Sequence, residues 1–445
     1  MILMAARPRR EATYLKLAEA KAKIMKMSPS ELVQHLVSLV KENEDWRGRS
    51  CINLLAPESL MSPIAKSLLS SELSERTAEG EIGDRWFSGL KYIDEVEALA
   101  VELAKTLFNS KYADHRLLSG MLGNLTVYFA LTKPGDVIMS IKETDGGHVS
   151  NREGGCAGCR GLKVVDIPFN PYEMNIDVES FTELTLKVKP RLIALGSSLT
   201  LFPYPLREIR EIADEVGAHI FYDGAHQLGL IAGGKFQDPL REGADVLTGS
   251  VGKTLSGPQR GLIVWNSDEI AEKLRLAIFP GLTATHQINS VAAMAVTLAE
   301  MLVFGKDYAA QMVKNAKALG KALDEEGFDV LCKHKGYTET HQVAVDVSSL
   351  GGGEEAAKLL EQVNIICNKN LLPKDSLEDW DNPSGIRLGT SQVTRLGMKE
   401  SEMRQIARFI RRVLIDKEET SIIAREVSEF RNSFQKVHYC FEPSI

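Results

Sequence analysis

The sequence predicts an α/β protein in which a mixed, mostly parallel sheet forms a large domain and a smaller α+β domain follows. Short, continuous apolar runs recur between residues 136 and 265, and amphipathic text such as 205–217 lies between some of them. After about residue 300 the pattern changes to one long helical stretch and a shorter mixed segment. Continuous apolar runs separated by helices are typical of a sheet that helices cover on both faces.

The N-terminal residues 1–50 are charged and have a helical pattern. Two interpretations stay open for them: an arm that packs on a partner subunit, or a solvated helical segment. The large domain is assigned to residues 51–300. Its first amphipathic helix places five apolar side chains on one face, namely Val96, Leu99, Ala100, Leu103 and Leu107.

Six apolar runs are predicted to be strands of the large domain. They are 136–141, 162–167, 191–195, 219–223, 245–249 and 261–265. In sheets of this kind ligands bind at the carboxyl ends of the strands. The residues directly after these runs are therefore the first candidates for a functional site.

The C-terminal part, residues 301–445, is predicted to hold the small domain and a tail. A long helix is expected at roughly 292–324, a strand at 341–347, a turn at 350–355 and a helix near 399–416. That last helix aligns Met403, Ile406, Ile410 and Leu414 on one face. Residues 418–445 carry no chemical signal.

Composition narrows the possible partners and the cellular location. The 445 residues carry a net charge of -7, which argues against a nucleic-acid binder held by a generally basic surface. No apolar run reaches the roughly 18 residues of a membrane helix, and the start lacks a signal peptide's sustained apolar stretch. Six cysteines are sparse for this length. We therefore expect a cytoplasmic protein with no membrane partner.

The strongest local signal is the segment 247–261, LTGSVGKTLSGPQRG. Lys253 follows an apolar strand and lies among small residues, so its amine can reach a ligand. A desolvated lysine beside other cations has a lowered pKa and can form a Schiff base. Asp223 closes another strand, where a carboxylate can pair with a protonated ring nitrogen or cap a helix. His226 lies in the turn that follows.

Three further segments suggest ligand contacts. Ser119, Gly120 and Met121 precede a helix and offer backbone N–H groups to an anion such as a phosphate. His148 follows two glycines, so its ring could stack on a planar cofactor or form an ordinary loop hydrogen bond. Arg387 lies in a short apolar segment, where a guanidinium suits a carboxylate or a structural ion pair.

One cysteine pair, Cys156 and Cys159, has the C-x-x-C spacing. A zinc site would need two further ligands, and the sequence has no second close pair. A redox pair is the alternative, but an ordinary loop is favoured, and no metal is expected.

In this order, these segments resemble the serine hydroxymethyltransferase family of pyridoxal-phosphate enzymes. The resemblance covers about residues 50–415. Six motifs carry it: AEGEIGDR (78–85), SGMLGN (119–124), GGH (146–148), DGAHQLGL (223–230), KTLSGP (253–258) and SGIRLGT (384–390). It implies the aspartate-aminotransferase fold, known as fold type I of pyridoxal-phosphate enzymes, and a homodimer or tetramer with shared sites.

The resemblance also implies a role for each matching residue. Lys253 would hold pyridoxal phosphate as an internal aldimine, and Asp223 would pair with the pyridine nitrogen. His148 would stack on the ring. Ser119, Gly120 and Met121 would hold the phosphate, and Ser198 and His226 would bind the phenolic oxygen side of the cofactor. Arg387 would bind the substrate carboxylate, and Glu79 would act near the β-hydroxyl. Asn370 would contact folate.

The chain departs from the family's pattern at several positions. Tyrosines are usual at Thr77 and Phe87, histidine at Gly252, and a G-G-P stretch at Ala284, Thr285 and His286. Two leucines of the folate slot are Glu143 and Val149 here. A glutamate is costly beside an apolar ring, whereas Asn370 favours folate, so the use of tetrahydrofolate stays open.

The implied reaction cleaves or forms the Cα–Cβ bond of a β-hydroxy-α-amino acid through a glycine quinonoid. Glu79, together with His226 or His148, would accept the β-hydroxyl proton. A folate-independent threonine aldolase or transaldolase and an α-methylserine hydroxymethyltransferase are the alternatives within the family. A pyridoxal-phosphate transaminase, racemase or decarboxylase, or a non-catalytic paralogue, is the alternative outside this chemistry.

Overall fold

The structure, a computed structural model, describes residues 7–443, with side chains from residue 11 onward. Residues 1–6 of the predicted N-terminal arm and residues 444–445 of the tail lie outside the described residues.

The strands are β1 (Ile52–Asn53), β2 (Gly80–Glu81), β3 (Asp84–Arg85), β4 (Tyr112–Asp114), β5 (Val137–Ser140), β6 (Lys163–Asp166), β7 (Phe169–Asn170), β8 (Asn175–Ile176), β9 (Leu192–Leu195), β10 (His219–Asp223), β11 (Val246–Ser250), β12 (Gly261–Trp265), β13 (Asp329–Val330), β14 (Gln342–Asp346), β15 (Ile365–Ile366), β16 (Asn368–Asn370) and β17 (Gly385–Gly389). The helices are α1 (Arg7–Lys26), α2 (Pro29–Asn43), α3 (Pro63–Leu68), α4 (Lys91–Phe108), α5 (Gly120–Leu131), α6 (Cys156–Cys159), α7 (Val178–Val188), α8 (Leu206–Val216), α9 (Leu228–Ala232), α10 (Pro239–Glu242), α11 (Asp268–Leu276), α12 (Ile288–Glu325), α13 (Gly353–Gln362), α14 (Ser391–Arg395), α15 (Glu400–Leu414) and α16 (Thr420–Asn432).

A seven-stranded sheet forms the centre of the large domain, in the order β4-β12-β11-β10-β9-β5-β6. The neighbours β11, β10, β9, β5 and β6 are all parallel, and β12 is antiparallel to both strands beside it. The six predicted strands all occur in this sheet. The prediction of a mixed, mostly parallel sheet is therefore confirmed.

Two apolar clusters cover the two faces of this sheet because its strands alternate their side chains. In β10, Ile220 and Tyr222 join one cluster, and Phe221 joins the other. Helix α8 shows how the covering helices are made: Leu206, Ile209 and Ala213 are buried along one side. Its end is set by Gly217, which adopts the left-handed conformation at φ 70° that favours glycine.

The smaller C-terminal sheet has four antiparallel strands in the order β13-β14-β17-β16. Helix α12 runs from one domain to the other: Val291, Met294 and Leu298 pack in the core of the large sheet, while Leu319 and Leu323 pack in that of the small one. The predicted boundary near residue 300 stays a prediction, and α12 crosses it without a break.

Helix α12 is also the single helix among residues 7–443 that is long and apolar enough to cross a membrane by length and composition. Inside the molecule, 61% of its most apolar window is buried. Its apolar character is thus explained by its place between the two cores.

One segment near each end of the described chain packs on the small domain. In the predicted tail, α16 buries Ile423 and Val427 in the small domain's core. Near the N-terminus, β1 pairs in parallel with β15. Helix α2 begins at a capping box formed by Ser28 and Glu31, yet it buries none of its residues.

Candidate active site

The carboxyl ends of the parallel strands meet at one edge of the large sheet, and the predicted site residues gather there. Asp223 is the last residue of β10, and Lys253 follows β11 by three residues. His148 and Ser197 come after β5 and β9, and Gly147 pairs with Ser197 in an isolated bridge. Residues far apart in the chain thus face one space.

That space is a cavity of about 300 Å³. We call it the first cavity. Its walls are formed by Leu118, Ser119, Gly120, Met121, Asn124, His148, Ser197, Asp223, Ala225, His226, Ser250, Lys253, Gln259 and Arg260.

The start of α5 forms one wall of the first cavity and is built to receive an anion. Ser119 caps the helix, and its hydroxyl accepts a hydrogen bond from the Leu122 N–H at 3.2 Å. At Gly120 a Cβ atom would lie 2.2 Å from the Ser250 Oγ, so glycine allows close approach there. The free N–H groups and the dipole of a helix start favour a phosphate at this position.

The Asp223 carboxylate is buried and is held by two asparagines. Asn124 donates to its Oδ2 at 2.6 Å and Asn151 at 3.4 Å, while the Ala225 N–H donates to Oδ1 at 3.1 Å. The Asn124 carbonyl oxygen accepts from Thr248 at 3.0 Å, which fixes the orientation of the amide. The carboxylate is therefore aimed into the cavity by hydrogen bonds to its charged form.

The Lys253 amine lies in the same cavity, and burial lowers its pKa from 10.5 to about 8. The Asp223 carboxylate acts to raise the pKa of Lys253, and the Arg387 guanidinium acts to lower it further. A substantial neutral fraction near neutral pH makes this amine a nucleophile, which an ordinary exposed lysine is not.

Two histidines flank the lysine, and both have a lowered pKa because they are buried. The Nδ1 of His148 accepts a hydrogen bond from the Ser150 N–H at 3.1 Å. His226 Nδ1 lies 3.2 Å from the Gln342 amide nitrogen, which also donates to the Ser198 carbonyl at 2.7 Å. Both rings thus use Nδ1 as the acceptor.

A second cavity of about 360 Å³ adjoins the first, and His148 lines both. Arg387 lies here in β17; burial lowers the pKa of its guanidinium to about 10. It donates to Asn368 Oδ1 at 3.1 Å and to the Ser198 carbonyl. The cavity is also lined by Ser198, Asn370, Lys369, Gly146, Gly147, Leu371 and Pro383.

One side of the second cavity is charged where the resemblance predicts an apolar slot. Glu143 forms an ion pair with Arg152 at 3.2 Å, and both Glu143 and Val149 line the cavity. Trp380, which is 40% exposed, also lines this cavity. The cavity thus combines a carboxylate with an aromatic ring.

The structure brings most predicted site residues to the two cavities, but not all. The first cavity collects Lys253, Asp223, His226, Ser119, Gly120 and Met121, and the second collects Ser198, Arg387 and Asn370. Ser198 is thus separated from the first cavity, where the adjacent Ser197 lies instead. Glu79 lines neither cavity and accepts a hydrogen bond from Thr285 at 2.9 Å.

Sequence reasoning missed Asn124, Gln342 and Gln259 as site residues. Asn124 was within a quoted motif, and a buried polar residue on an apolar helix was the available signal. Gln259 lies against Gly252: a Cβ at 252 would lie 2.8 Å from the end of the Gln259 side chain. Gln259 thus occupies the space that a larger residue at 252 would need.

The two cysteines of the C-x-x-C segment are free thiols in α6. Cys159 is exposed, whereas Cys156 is buried and its thiol contacts the Met121 carbonyl at 3.6 Å. Burial raises the pKa of Cys156 to about 11, so this thiol is protonated at neutral pH. The segment is thus a short helix and not the predicted loop, whereas the interpretation that this pair has no zinc or redox role stays a prediction.

The first cavity fits pyridoxal phosphate. A phosphate has the start of α5 and the space beside Gly120, a protonated ring nitrogen has the buried carboxylate of Asp223, and an aldehyde has the amine of Lys253. The His148 imidazole offers a ring to stack on. Each group of the cofactor therefore meets a side chain of matching chemistry.

Comparisons with known proteins agree with this fit. Residues 30–410 match the family model described as serine hydroxymethyltransferase. The serine hydroxymethyltransferase of Methanocella arvoryzae is 48% identical over 92% of this chain and 96% of its own length, and that of Thermococcus kodakarensis is 49% identical with the same coverage.

Among solved structures, the L-threonine transaldolase of Pseudomonas fluorescens in its internal aldimine state superposes with a TM-score of 0.84. It is 29% identical, and the match covers 95% of this chain and 96% of that one. The predicted fold type I architecture is thereby confirmed. By sequence and by structure, the chain belongs to the serine hydroxymethyltransferase family of pyridoxal-phosphate-dependent enzymes.

Proposed function

We propose that this protein cleaves and forms the Cα–Cβ bond of a serine-like or threonine-like β-hydroxy-α-amino acid, as a hydroxymethyltransferase with aldolase activity. One observation carries the proposal: Lys253 and Asp223 face one cavity, Arg387 faces the next, and His148 lies between them. An enzyme that breaks a bond at the Cα of an amino acid needs a lysine and an acidic residue to hold the cofactor, and a cation to bind the substrate carboxylate.

When bound in the first cavity, pyridoxal phosphate supplies an electron sink for the bonding electrons at the substrate's Cα. Lys253 is partly neutral near pH 7 because its pKa is about 8, so its amine is ready to attack an aldehyde. The Asp223 carboxylate, held by Asn124, would stabilise a positive ring nitrogen. Ser119, Gly120 and Met121 would hold the phosphate.

Arg387 would bind the substrate carboxylate and so orient the Cα–Cβ bond. Its guanidinium is anchored through Asn368 and the Ser198 carbonyl, which limits its motion before substrate arrives. Burial removes competing water, so a carboxylate there gains a strong charge-assisted hydrogen bond. Such positioning supplies a large part of the rate of a bond cleavage.

Glu79 would exchange a proton with the substrate's β-hydroxyl, in the site of a second copy of the chain. Two observations support a homodimer with shared sites. Glu79 is near the molecular surface, beside the exposed Thr285 and outside both cavities of its own chain. Helix α2 exposes Val33, Leu36, Val37 and Val40, an apolar set that a partner subunit would cover.

The second substrate of the reaction is a separate question. The Glu143–Arg152 ion pair places charge where an apolar folate ring would pack, which favours an aldehyde that accepts the glycine unit, as in a threonine transaldolase. Asn370 favours folate, so a tetrahydrofolate-dependent reaction stays the competing proposal. An α-methylserine substrate is the third possibility.

The test measures aldehyde release from serine, threonine and α-methylserine, each with and without tetrahydrofolate. We expect the protein loaded with pyridoxal phosphate to show the absorbance band of the lysine-bound cofactor and to release aldehyde. Lys253→Ala should lose both. Lys235→Ala, which changes an exposed lysine outside both cavities, is the matched control and should keep both.

Each possible result selects among the proposals. Glycine formed from serine only with tetrahydrofolate, with the hydroxymethyl carbon carried by the folate, favours the folate-dependent reaction, and acetaldehyde from threonine without folate favours the transaldolase type. A cofactor band without cleavage of any of the three amino acids would refute the proposed reaction. The cytoplasmic location, proposed from the sparse cysteines, is tested by fractionating the source cells.

A further inference from the structure

A cluster of charged side chains lies outside both cavities, around the buried carboxylate of Glu97 in α4. His286 Nε2 lies 2.6 Å from its Oε1, and the Arg85 guanidinium binds its Oε2. His115 Nε2 lies 3.4 Å from Oε2. Asp94 accepts from Arg85 Nε at 2.7 Å. We call these five residues the Glu97 cluster.

The electrostatics tie Glu97 to its partners. Burial acts to raise the pKa of Glu97, but the neighbouring His115 and the hydrogen-bonded His286 outweigh it, so the pKa lies well below its usual range. The carboxylate is therefore ionised inside the protein and depends on its partners. Losing one partner would leave a buried charge without full compensation, which is strongly destabilising.

The Glu97 cluster also joins the two segments that hold Glu79. Arg85 belongs to β3, whose partner β2 begins directly after Glu79, and Arg85 donates to the Gly80 carbonyl at 3.2 Å. His286 directly follows Thr285, whose hydroxyl donates to Glu79. We call β2 and β3 the hairpin. Glu79 is thus connected to Glu97 in two ways: through the hairpin and Arg85, and through Thr285 and His286.

A second arginine secures the same segment from the first cavity. Arg260, which lines that cavity, donates to the carbonyls of His115 at 2.6 Å and Gln287 at 3.0 Å. The backbone on both sides of the cluster is thereby tied to the wall of the cofactor site.

We propose that the Glu97 cluster positions Glu79: Arg85 and His286 bind the two oxygens of Glu97 and thereby hold the hairpin and Thr285 in the arrangement that orients the Glu79 carboxylate. This inference rests on the proposed role of Glu79 as the group that exchanges the β-hydroxyl proton. Glu97, Arg85 and His286 are positioning residues, because they act through Thr285 and the hairpin.

A metal ion is the competing interpretation of this cluster. Glu97, His115 and His286 each place one donor atom within 4.8 Å of the others, and two histidines with a carboxylate can bind zinc. Both oxygens of Glu97 are already hydrogen-bonded, however, and Arg85 brings a fixed positive charge to the same carboxylate. The geometry therefore favours a hydrogen-bonded cluster.

The test compares His286→Leu, which removes the nitrogen donor, with His286→Gln, which keeps one. In His286→Leu we expect amide hydrogen exchange to accelerate in both 79–86 and 283–287. The kcat for aldehyde release should fall ~10- to 100-fold, because small misplacements of a reacting group have effects of this size. KM should change much less, and His286→Gln should retain most of the rate.

A second, milder variant keeps the proposal testable if His286→Leu does not fold. Thr285→Val removes one hydroxyl at an exposed position and should lower kcat without changing the cofactor band. Unchanged exchange at 79–86 in His286→Leu, or an equal loss of rate in His286→Gln, would overturn the proposal. So would stoichiometric zinc in the purified wild-type protein. If wild type released no aldehyde, the proposed function would fail, whereas the exchange data would still report on the cluster.

Discussion

The lowered pKa of Lys253 leads to a sharp prediction about how the protein captures pyridoxal phosphate. The neutral amine attacks an aldehyde, and burial brings the pKa of this amine to about 8. The capture rate should therefore rise with pH and level off just above pH 8. Without the shift, the rise would continue to about pH 10.5.

The size of the effect follows from the pKa. At pH 7 an amine with a pKa of about 8 is neutral in roughly one molecule in ten, and an ordinary lysine in roughly one in three thousand. The reactive fraction therefore differs by about 300-fold. Two neighbours act in opposite directions: Arg387→Met should raise the pKa of Lys253, and Asp223→Asn should lower it.

Stopped-flow absorbance, on mixing cofactor-free protein with pyridoxal phosphate between pH 6 and pH 10, measures this directly. An N-acetyl-lysine amide in the same buffers corrects for the titration of the aldehyde reagent itself. A wild-type plateau near pH 10.5 would refute the reasoning. So would shifts in the same direction for Arg387→Met and Asp223→Asn, because their charges have opposite signs.

Three further substitutions test the walls of the cavities. Asn124→Leu removes the 2.6 Å hydrogen bond to Asp223, so cofactor affinity should fall roughly 10- to 100-fold in an absorbance titration. Gly120→Ala should weaken cofactor binding at least about tenfold, because its Cβ would lie 2.2 Å from the Ser250 Oγ. Glu143→Leu should increase tetrahydrofolate affinity about tenfold or more in a fluorescence titration, because a buried charge leaves the slot.

Each of these has a direct control. Adding Ser250→Ala to Gly120→Ala removes the clashing Oγ and should recover part of the affinity; no recovery would contradict the steric argument. Asn124→Asp keeps the shape but places a second carboxylate beside Asp223, so it should bind cofactor no better than Asn124→Leu. For Glu143→Leu, unchanged folate affinity would mean that charge does not exclude the ring.

The sheet was predictable because its central strands are buried on both faces. The run 219–223 is apolar up to Asp223, so the pattern defines the strand and the first residue available to a ligand. Helix α16 was missed although its sequence carries a signal. Ile423 and Val427 lie in the small domain's core and Phe430 packs against it, and these three residues have the spacing of one helix face.

The site was predictable where a residue type has a chemical reason to follow a strand, as Lys253 and Asp223 do. It was not predictable where a side chain acts across the fold. Gln342 reaches His226 from 116 residues away, and Gln259 fills the space beside Gly252 only because the turn folds back. Such contacts depend on tertiary structure, and no local pattern encodes them.

Helix α12 ties the two lobes into one cooperative unit. The first half of α12 packs in the core of the large domain, and its last turns pack in the core of the small domain. Expressing either domain alone would therefore expose apolar side chains of this helix or of the core that it covers. Calorimetry should accordingly record one melting transition for the whole chain. A proline substituted at the midpoint of α12 should lower the melting temperature of this one transition and should not split it into two transitions.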